Sequence, residues 1–514
     1  MKQEGLGLTA PAFEHSLLAW PSRAWGWQME TDKTDLDPFF RPKSIGIVGV
    51  STGSYRFGGM SYLHKLQECG YPGSLYPINP RATEIRGVRA YPNLVSLPEV
   101  PDLVIVCLPA AAVLDVLRDC SRIGARHIHV LTSGFKELGT EEGRGLEEEM
   151  ASFCREKGLL VMGPNCMGPY CPDARLTPWG AIPGIPGPVG VISQSGTITQ
   201  RITEYLCSLG MGVSKAVSFG NGTVLNALDY LEFMAADDTI RVVAVYLESV
   251  TDARRFLRLA LRINPQKPIV LWRGGESDAG ARAAVSHTGS LSGSGHLWEA
   301  FFRQTGVTRV ESMDELVDAV LGFALLPPPR GKGVFLVGGG GGNSVVNGDA
   351  CVREGLEVPS LSAQTLEKLR EIVPAVGSIA GNPLDHWRAY EDPGHLTSVL
   401  ELGYEDPGIS MIVVDRVIRR SSFHMPDEPD PTPAVIEFME RVGQPKPTVF
   451  TVDFAGGDPD LTLQGSSLMA RLCKAGLPAF PTLKRATKTL VNLHRHHEAA
   501  RRRVASDSAW YSGS

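Results

Sequence analysis

Three times along the chain a short apolar run ends in a glycine-rich turn and passes into a helical pattern: SIGIVGV (44–50), GVISQSGT (190–197) and GVFLVGGGGGN (333–343). A strand apolar on both faces has to be covered on both faces, which places it inside a parallel sheet flanked by helices. The first run continues with strand patterns at 74–80, 102–109, 127–134 and 159–165, separated by helical patterns at 59–69, 110–123 and 140–157. Such alternation predicts a doubly wound α/β sheet. The stretch Pro172–Pro188 is too rich in Pro and Gly to continue a helix or a central strand, and marks a first boundary. Strands at 190–194, 213–219, 242–249 and 268–274 follow, with helices at 196–208, 224–235, 252–262, 294–304 and 312–325. The linker LLPPPRGKG (325–333) then leads into a third α/β block, whose opening resembles that of the second closely enough to suggest one shared plan.

Length agrees, since 514 residues at roughly 150 per domain predict about three domains. Residues 1–37, which carry Trp20, Trp25 and Trp27, read as an extension to them. The balance of 50 Lys and Arg against 56 Asp and Glu gives a net charge of -6 and no basic stripe, so nucleic acid is not an expected partner. No apolar run approaches the roughly 20 residues that span a bilayer. Nine cysteines without a CxxC pair point to reduced thiols and a cytoplasmic location. P-loop and HExxH patterns are absent from the sequence.

Ligands of open α/β sheets bind beyond the carboxyl ends of the strands. In the first block those ends carry GVSTGSYRFGG (49–59), NPR (79–81), LPA (108–110), TSGF (132–135) and GPNCMGP (163–169). The glycines either permit tight turns or bring backbone amides up to a phosphate, and Arg56 and Arg81 are suited to holding phosphate charge or to being solvated. In the second block, SQSGT (193–197) and SFGNG (218–222) are turns before helices, which serve as simple caps or as a phosphoryl pocket. The most unusual segment, GGESDAGARAAVSHTGSLSGSGH (274–296), surrounds His287 with small residues. With no second His or Cys at ligand spacing, zinc is not expected; an exposed loop histidine and a carrier of a covalent phosphoryl group are the alternatives. Glu248, at the end of VVAVYLE, either holds that histidine or makes an ordinary salt bridge.

Taken together, GVSTGSYRFGG, YPINPR, GPNCMG, SQSG, YLES and GARAAVSHTGSLSGS resemble the α chain of ADP-forming acetyl-CoA synthetases, relatives of the succinyl-CoA synthetase α subunit, over residues 38 to about 495. The resemblance implies a Rossmann-like CoA-binding domain (38–180), two flavodoxin-like domains (188–327 and 333–495) and a tail (496–514). It implies that Gly49, Ser51, Thr52, Arg56, Gly58, Asn79, Arg81, Pro109, Ser133 and Asn165 lie near coenzyme A. It implies that His287 is phosphorylated, that Glu248 steadies the phosphohistidine, and that Ser193, Ser195, Gly196, Gly220 and Asn221 hold the phosphoryl group. No ATP-grasp segment is present, so the resemblance implies a separate ATP-grasp β chain supplying ADP or ATP and Mg2+, a small carboxylic acid or acyl-CoA as substrate, and a heterotetramer. The GNPLD turn (381–385) resembles the family's NPxD, in a domain expected to serve in docking. One departure is Leu225–Asn226, where the family commonly carries an acidic pair. Rival readings are a nucleotide-independent acyl or carbamoyl transferase on the same scaffold, and a CoA sensor without transfer activity.

Overall fold

The computed structural model describes residues 35–511 except Thr52, 54–57, 181, 281, 283–294, 339, 375, 387–391, 419–429 and 455. The extension before residue 35 and the expected carrier His287 lie outside the described residues, as do Thr52 and Arg56.

The first sheet is built from β1 (Ser44–Val48), β2 (Ser74–Ile78), β5 (Leu103–Val106), β6 (His127–Val130) and β7 (Leu160–Met162), while β3 (Glu84–Ile85) and β4 (Val88–Arg89) form a small hairpin. Its order is β2-β1-β5-β6-β7 and all pairs are parallel. The second comprises β8 (Gly168–Tyr170), β9 (Val189–Ser193), β10 (Val213–Ser218), β11 (Val242–Leu247), β12 (Ile269–Arg273) and β13 (Thr308–Val310), in the order β13-β12-β11-β9-β10-β8. The third comprises β14 (Val334–Gly338), β15 (Leu384–Asp385), β16 (Met411–Ile418), β17 (Thr448–Phe454) and β18 (Ala479–Phe480), ordered β15-β14-β16-β17-β18. Counted within each sheet, the parallel strands run 2-1-3-4-5 in all three, the flavodoxin-like order. The expected doubly wound α/β class is therefore found, and the repeat suspected between the second and third blocks extends to the topology of the first.

The strands pack as their apolar composition requires. Ile45, Leu103, Val106, Val191, Val243 and Val413 are wholly buried, each contributing on the order of 1.5–3 kcal/mol by leaving water. The ordered core begins slightly inside the stretch assigned to the extension: Leu36 is buried, and Phe40 stacks on Phe233 with ring centroids 5.3 Å apart.

Three local differences from the sequence reading have identifiable causes. Gly168–Tyr170 precedes the Pro/Gly-rich stretch, yet it pairs antiparallel with β10 and so already belongs to the second sheet. Three residues, Gly-Pro-Tyr, carry too little periodicity to read as a strand. The helix expected from 224 starts at Ala227 because Asn226 caps it, accepting from the Leu228 amide at 2.9 Å while Asp229 accepts from the Asn226 amide at 2.8 Å. Leu225 is buried, so the Leu225–Asn226 departure serves core packing and capping. Finally, the expected tail does not begin at 496: one helix runs from Leu483 to Tyr511. It lies along Met313–Leu325 of the second domain, where Lys488 donates to Glu315 at 2.5 Å. A Cβ at Gly322 would collide with Thr489, so glycine is what allows these helices to approach.

Candidate active site

In a 2-1-3-4-5 sheet the first and third strands are neighbours whose connections leave on opposite faces, and a crevice opens between their carboxyl ends. Most of the described candidate residues of the first two domains collect at those two switch points; Asn165, Gly220 and Asn221 do not.

In the first domain the crevice lies between β1 and β5. A cavity of about 430 Å³ opens there, lined among others by Gly49, Ser51, Asn79, Asn93, Leu108 and Asp119. Gly49 turns the chain with φ +89°, and a Cβ on it would sit 2.5 Å from the Cys107 carbonyl oxygen. Only glycine permits this close passage of the two strand ends. Gly58 precedes the helix Gly59–Glu68 with φ +114°, and among the described residues no atom lies within 4 Å of a Cβ position there.

Asn79 works mainly on its own loop. Its amide donates to the Val50 carbonyl at 2.7 Å, and its oxygen accepts from the Arg81 and Ala82 amides at 2.8 and 3.0 Å. Pro109, Ser133 and Arg81 are exposed along the rim. Thr132 ties two of these loops together by donating to the Leu108 carbonyl at 2.6 Å.

In the second domain the crevice lies between β9 and β11, and it brings SQSG and Glu248 together across some fifty residues of sequence. Ser195 caps the helix Gly196–Ser208. The positive end of that helix and its first-turn amides are therefore directed to the crevice. Ser193 is buried, its hydroxyl accepting from the Ser195 amide at 3.1 Å and donating to the Ser195 carbonyl at 2.9 Å. Gly196 lies under Met167, whose Cγ would be 2.7 Å from a Cβ. Glu248 is only 7% exposed.

The residue that joins the two halves is one the sequence reading had passed over. The Gln194 side-chain oxygen accepts from the backbone amides of Glu248 at 2.5 Å and Ser249 at 3.0 Å. The Gln194 backbone N–H in turn donates to the Tyr246 carbonyl at 3.2 Å. Its only sequence signal was membership of SQSG.

Gly220 and Asn221 sit elsewhere, in a seam between the first two domains. The Asn221 backbone amide donates to the Pro164 carbonyl at 3.0 Å. Its side-chain amide donates to Glu137 at 2.7 Å and Glu147 at 2.9 Å, and Asn165 donates to its oxygen at 3.5 Å. Both donor groups of Asn221 are thus engaged within the protein. A Cβ on Gly220, at φ +57°, would strike the Pro164 and Asn165 carbonyls. Glu147, 4% exposed, also receives the Lys136 ammonium at 2.8 Å and the Thr223 hydroxyl. Burial works to raise the Glu137 pKa, but donation from Asn221, Gly134 and Phe135 holds it below the usual carboxylate range. Sequence reasoning missed Glu147 because acidic residues in a helix such as EEGRGLEEEM read as solvated, and Lys136 and Glu137 because charged residues in a loop read the same way.

The third domain repeats the arrangement with a different fastening. Asn382 of the GNPLD turn accepts from Leu336 at 3.0 Å and donates to the carbonyls of Val334 at 2.7 Å and Pro359 at 2.9 Å, pinning β14. Asp385 accepts from the Gly340 amide at 2.7 Å, in the glycine-rich turn before the helix Gly341–Arg353. Among the described residues no cluster of three or more His, Cys, Asp or Glu is arranged for a metal ion, and no helix is long and apolar enough to cross a membrane.

Comparison with known proteins agrees with this fold. Residues 43–172 match a family model of a CoA binding domain, 186–323 one of a succinyl-CoA ligase like flavodoxin domain, and 334–456 one of a ligase-CoA domain. The chain is 31% identical over 470 residues to the acetate–CoA ligase (ADP-forming) I subunit alpha of Pyrococcus furiosus, covering 90% of this chain and 97% of that one. The corresponding II subunit alpha is 31% identical over 80% of this chain and 89% of its own. A solved structure of the dinucleotide-forming acetyl-coenzyme A synthetase 1 of Candidatus Korarchaeum cryptofilum, in complex with phosphate and ADP, superposes with a TM-score of 0.81 at 29% identity, covering 92% of this chain and 99% of that one. Three matching domains in sequence, and relatives matched over almost their whole length, show that this chain belongs to the family of ADP-forming acetate–CoA ligase α subunits.

Proposed function

We propose that the protein is the α component of an ADP-forming acid–CoA ligase, catalysing acyl-CoA + Pi + ADP ⇌ acid + CoA + ATP. The observation that carries this reading is the second switch point, where Gln194 fastens the backbone of Glu248 beside the capped N-terminus of Gly196–Ser208. A helix N-terminus suits an anion in transfer, and a buried carboxylate next to it suits a cationic imidazole.

The first-domain cavity fits part of a CoA molecule, being mostly apolar with Ser51 and the Gly49 backbone at its edge. Gly49, Ser51, Gly58 and Ser133 are the described residues proposed to approach it, with Thr52 and Arg56 adjoining them in sequence. Phosphate oxygen attacks the thioester carbonyl, giving acyl phosphate, and the CoA thiolate leaves with a proton. His287 then attacks phosphorus, the bond to the acyl oxygen breaks and the carboxylic acid departs as its carboxylate. Glu248 compensates the positive charge on the phosphorylated imidazole, while the Ser195 hydroxyl and the Gly196 amide donate to the phosphoryl oxygens. Transfer to ADP requires nucleotide and Mg2+, which this reading assigns to a separate ATP-grasp β chain in a cytoplasmic hetero-oligomer. Free thiols at all nine cysteines accord with that compartment.

The test is incubation of the purified chain, with and without a β chain, with labelled phosphate and a panel of acyl-CoAs. Alkali-stable, acid-labile label that disappears in His287→Ala supports the reading. Turnover without nucleotide, unaffected by His287→Ala, would favour a transferase instead.

A further inference from the structure

We propose that Tyr246 is a positioning residue for Glu248, fixing the carboxylate through a phenolic hydrogen bond; this rests on the reading of Glu248 given above. Tyr246 and Glu248 are two residues apart at the end of β11, so their side chains leave the same face of the strand. The Tyr246 hydroxyl donates to Glu248 Oε1 at 3.3 Å. Its ring is braced edge-on by Trp272 of the neighbouring strand, with centroids 5.1 Å apart and planes at 69°.

Two further contacts show that the pair is built around this bond. A Cβ on Gly274 would lie 2.5 Å from the Tyr246 hydroxyl and 3.2 Å from Glu248 Cγ, so the missing side chain at 274 leaves the room in which phenol and carboxylate meet. Gln194 holds the backbone of both members, accepting from the Glu248 amide and donating to the Tyr246 carbonyl. Burial, and then the neighbouring Glu248, push the Tyr246 phenol above its ordinary pKa, which keeps it a hydrogen-bond donor at neutral pH. A donor of this kind restricts rotation of the carboxylate, so the group is in place before a cationic imidazole forms. Nothing in the composition of VVAVYLES distinguishes this tyrosine from an ordinary strand aromatic.

The experiment is a double-mutant cycle on the full chain assembled as an active ligase, using acetyl-CoA, phosphate and ADP as probes. Tyr246→Phe is expected to lower kcat about 10- to 100-fold, the range for losing a residue that orients a functional group. The KM for acetyl-CoA and the thermal midpoint are expected to stay at wild-type values, which a merely structural role would not allow. Glu248→Gln is expected to be at least as damaging, and adding Tyr246→Phe to it to cost little more. Gly274→Ala, which keeps the phenol and displaces it, is expected to lower kcat in the same direction, and it reads the same contact if Tyr246→Phe folds poorly. Wild-type kcat in both Tyr246→Phe and Gly274→Ala, with Glu248→Gln inactive, would overturn the proposal alone. Fully multiplicative losses in the double variant would also overturn it, since Tyr246 would then act by some route other than Glu248. An active Glu248→Gln enzyme would instead remove the underlying reading of the site.

Discussion

Arg485, on the long C-terminal helix, grips Asp318 of the second domain with two hydrogen bonds, Nε to Oδ2 at 2.6 Å and Nη2 to Oδ1 at 2.7 Å. The partners are 167 residues apart, and Asp318 is 4% exposed. Burial raises the Asp318 pKa even though Arg485 opposes it, whereas the guanidinium is held firmly protonated by the aspartate. Arg485 also meets Asp314 at 3.3 Å and so keeps a counter-charge without Asp318, whereas Asp318 without Arg485 is left buried and uncompensated. Arg485→Ala is therefore expected to destabilise the chain by about 3 kcal/mol. Arg502→Ala, which breaks an exposed pair with Glu498, is expected to change stability by less than about 1 kcal/mol. Equilibrium urea denaturation of the two variants checks the contrast; equal effects would mean that the buried pair has no special role.

Glu147 performs a similar task between the first two domains, accepting from Lys136, Asn221 and Thr223. Glu147→Ala is expected to cost about 3 kcal/mol, again by stranding a cation and two polar donors. Amide exchange in residues 218–223 should accelerate in the variant, because their anchor on the first domain is gone. Unchanged exchange there would show that the seam is held by backbone bonds alone.

Gly49 offers a test of the first-domain crevice that does not rely on catalysis. Gly49→Ala combines φ +89° with a 2.5 Å approach to the Cys107 carbonyl, so the mouth of the cavity must shift. Calorimetric titration with CoA is expected to show at least about a tenfold loss of affinity, equivalent to about 1.4 kcal/mol. Gly124→Ala has a similar φ of +85° but meets nothing within 4 Å and lies away from the cavity. It serves as the control for backbone strain, and wild-type affinity is expected there.

His129 supplies a pH dependence. It is fully buried beside the Cys166 carbonyl, and desolvation, only partly opposed by that carbonyl, pushes its pKa down to about 4. The unfolded chain binds this proton near pH 6.5, before the folded one does. The resulting stability is fully present above pH 6.5 and declines as the pH falls toward 4, by about 3 kcal/mol in total. His129→Gln is expected to flatten urea midpoints measured between pH 5 and 7 by the part of that loss that falls in this interval. An identical slope in wild type and variant would assign the acid sensitivity to other groups.

In the first two domains the parallel strands and most helix limits were legible in the chain itself, because parallel strands buried on both faces leave dense apolar runs, as in SIGIV and VGVIS; of the third domain only the opening strand and turn were read. The helix Gly196–Ser208 could be read to the residue, since Ser195 is a cap and Gly196 a turn residue by local chemistry alone. SQSG, GVSTGSYRFGG and Glu248 were also visible as strand-end features, because the carboxyl end of a parallel strand is where a loop has freedom to carry function.

What the linear order could not express is which polar groups meet after folding. Glu147 in its helix looks like a surface residue and Asn221 in its turn like a cap or an anion holder, and only the packing of the first domain on the second buries them together. Gly168–Tyr170 became a strand because β10 offered an edge to pair with. The sequence by itself determined the class of fold and the turns able to hold anions, since these follow from local periodicity and backbone freedom. Tertiary structure alone decided that Gln194 would fasten Glu248 and that Tyr246 would touch it, since a hydrogen bond between distant segments exists only where the sheet order makes β9 and β11 neighbours.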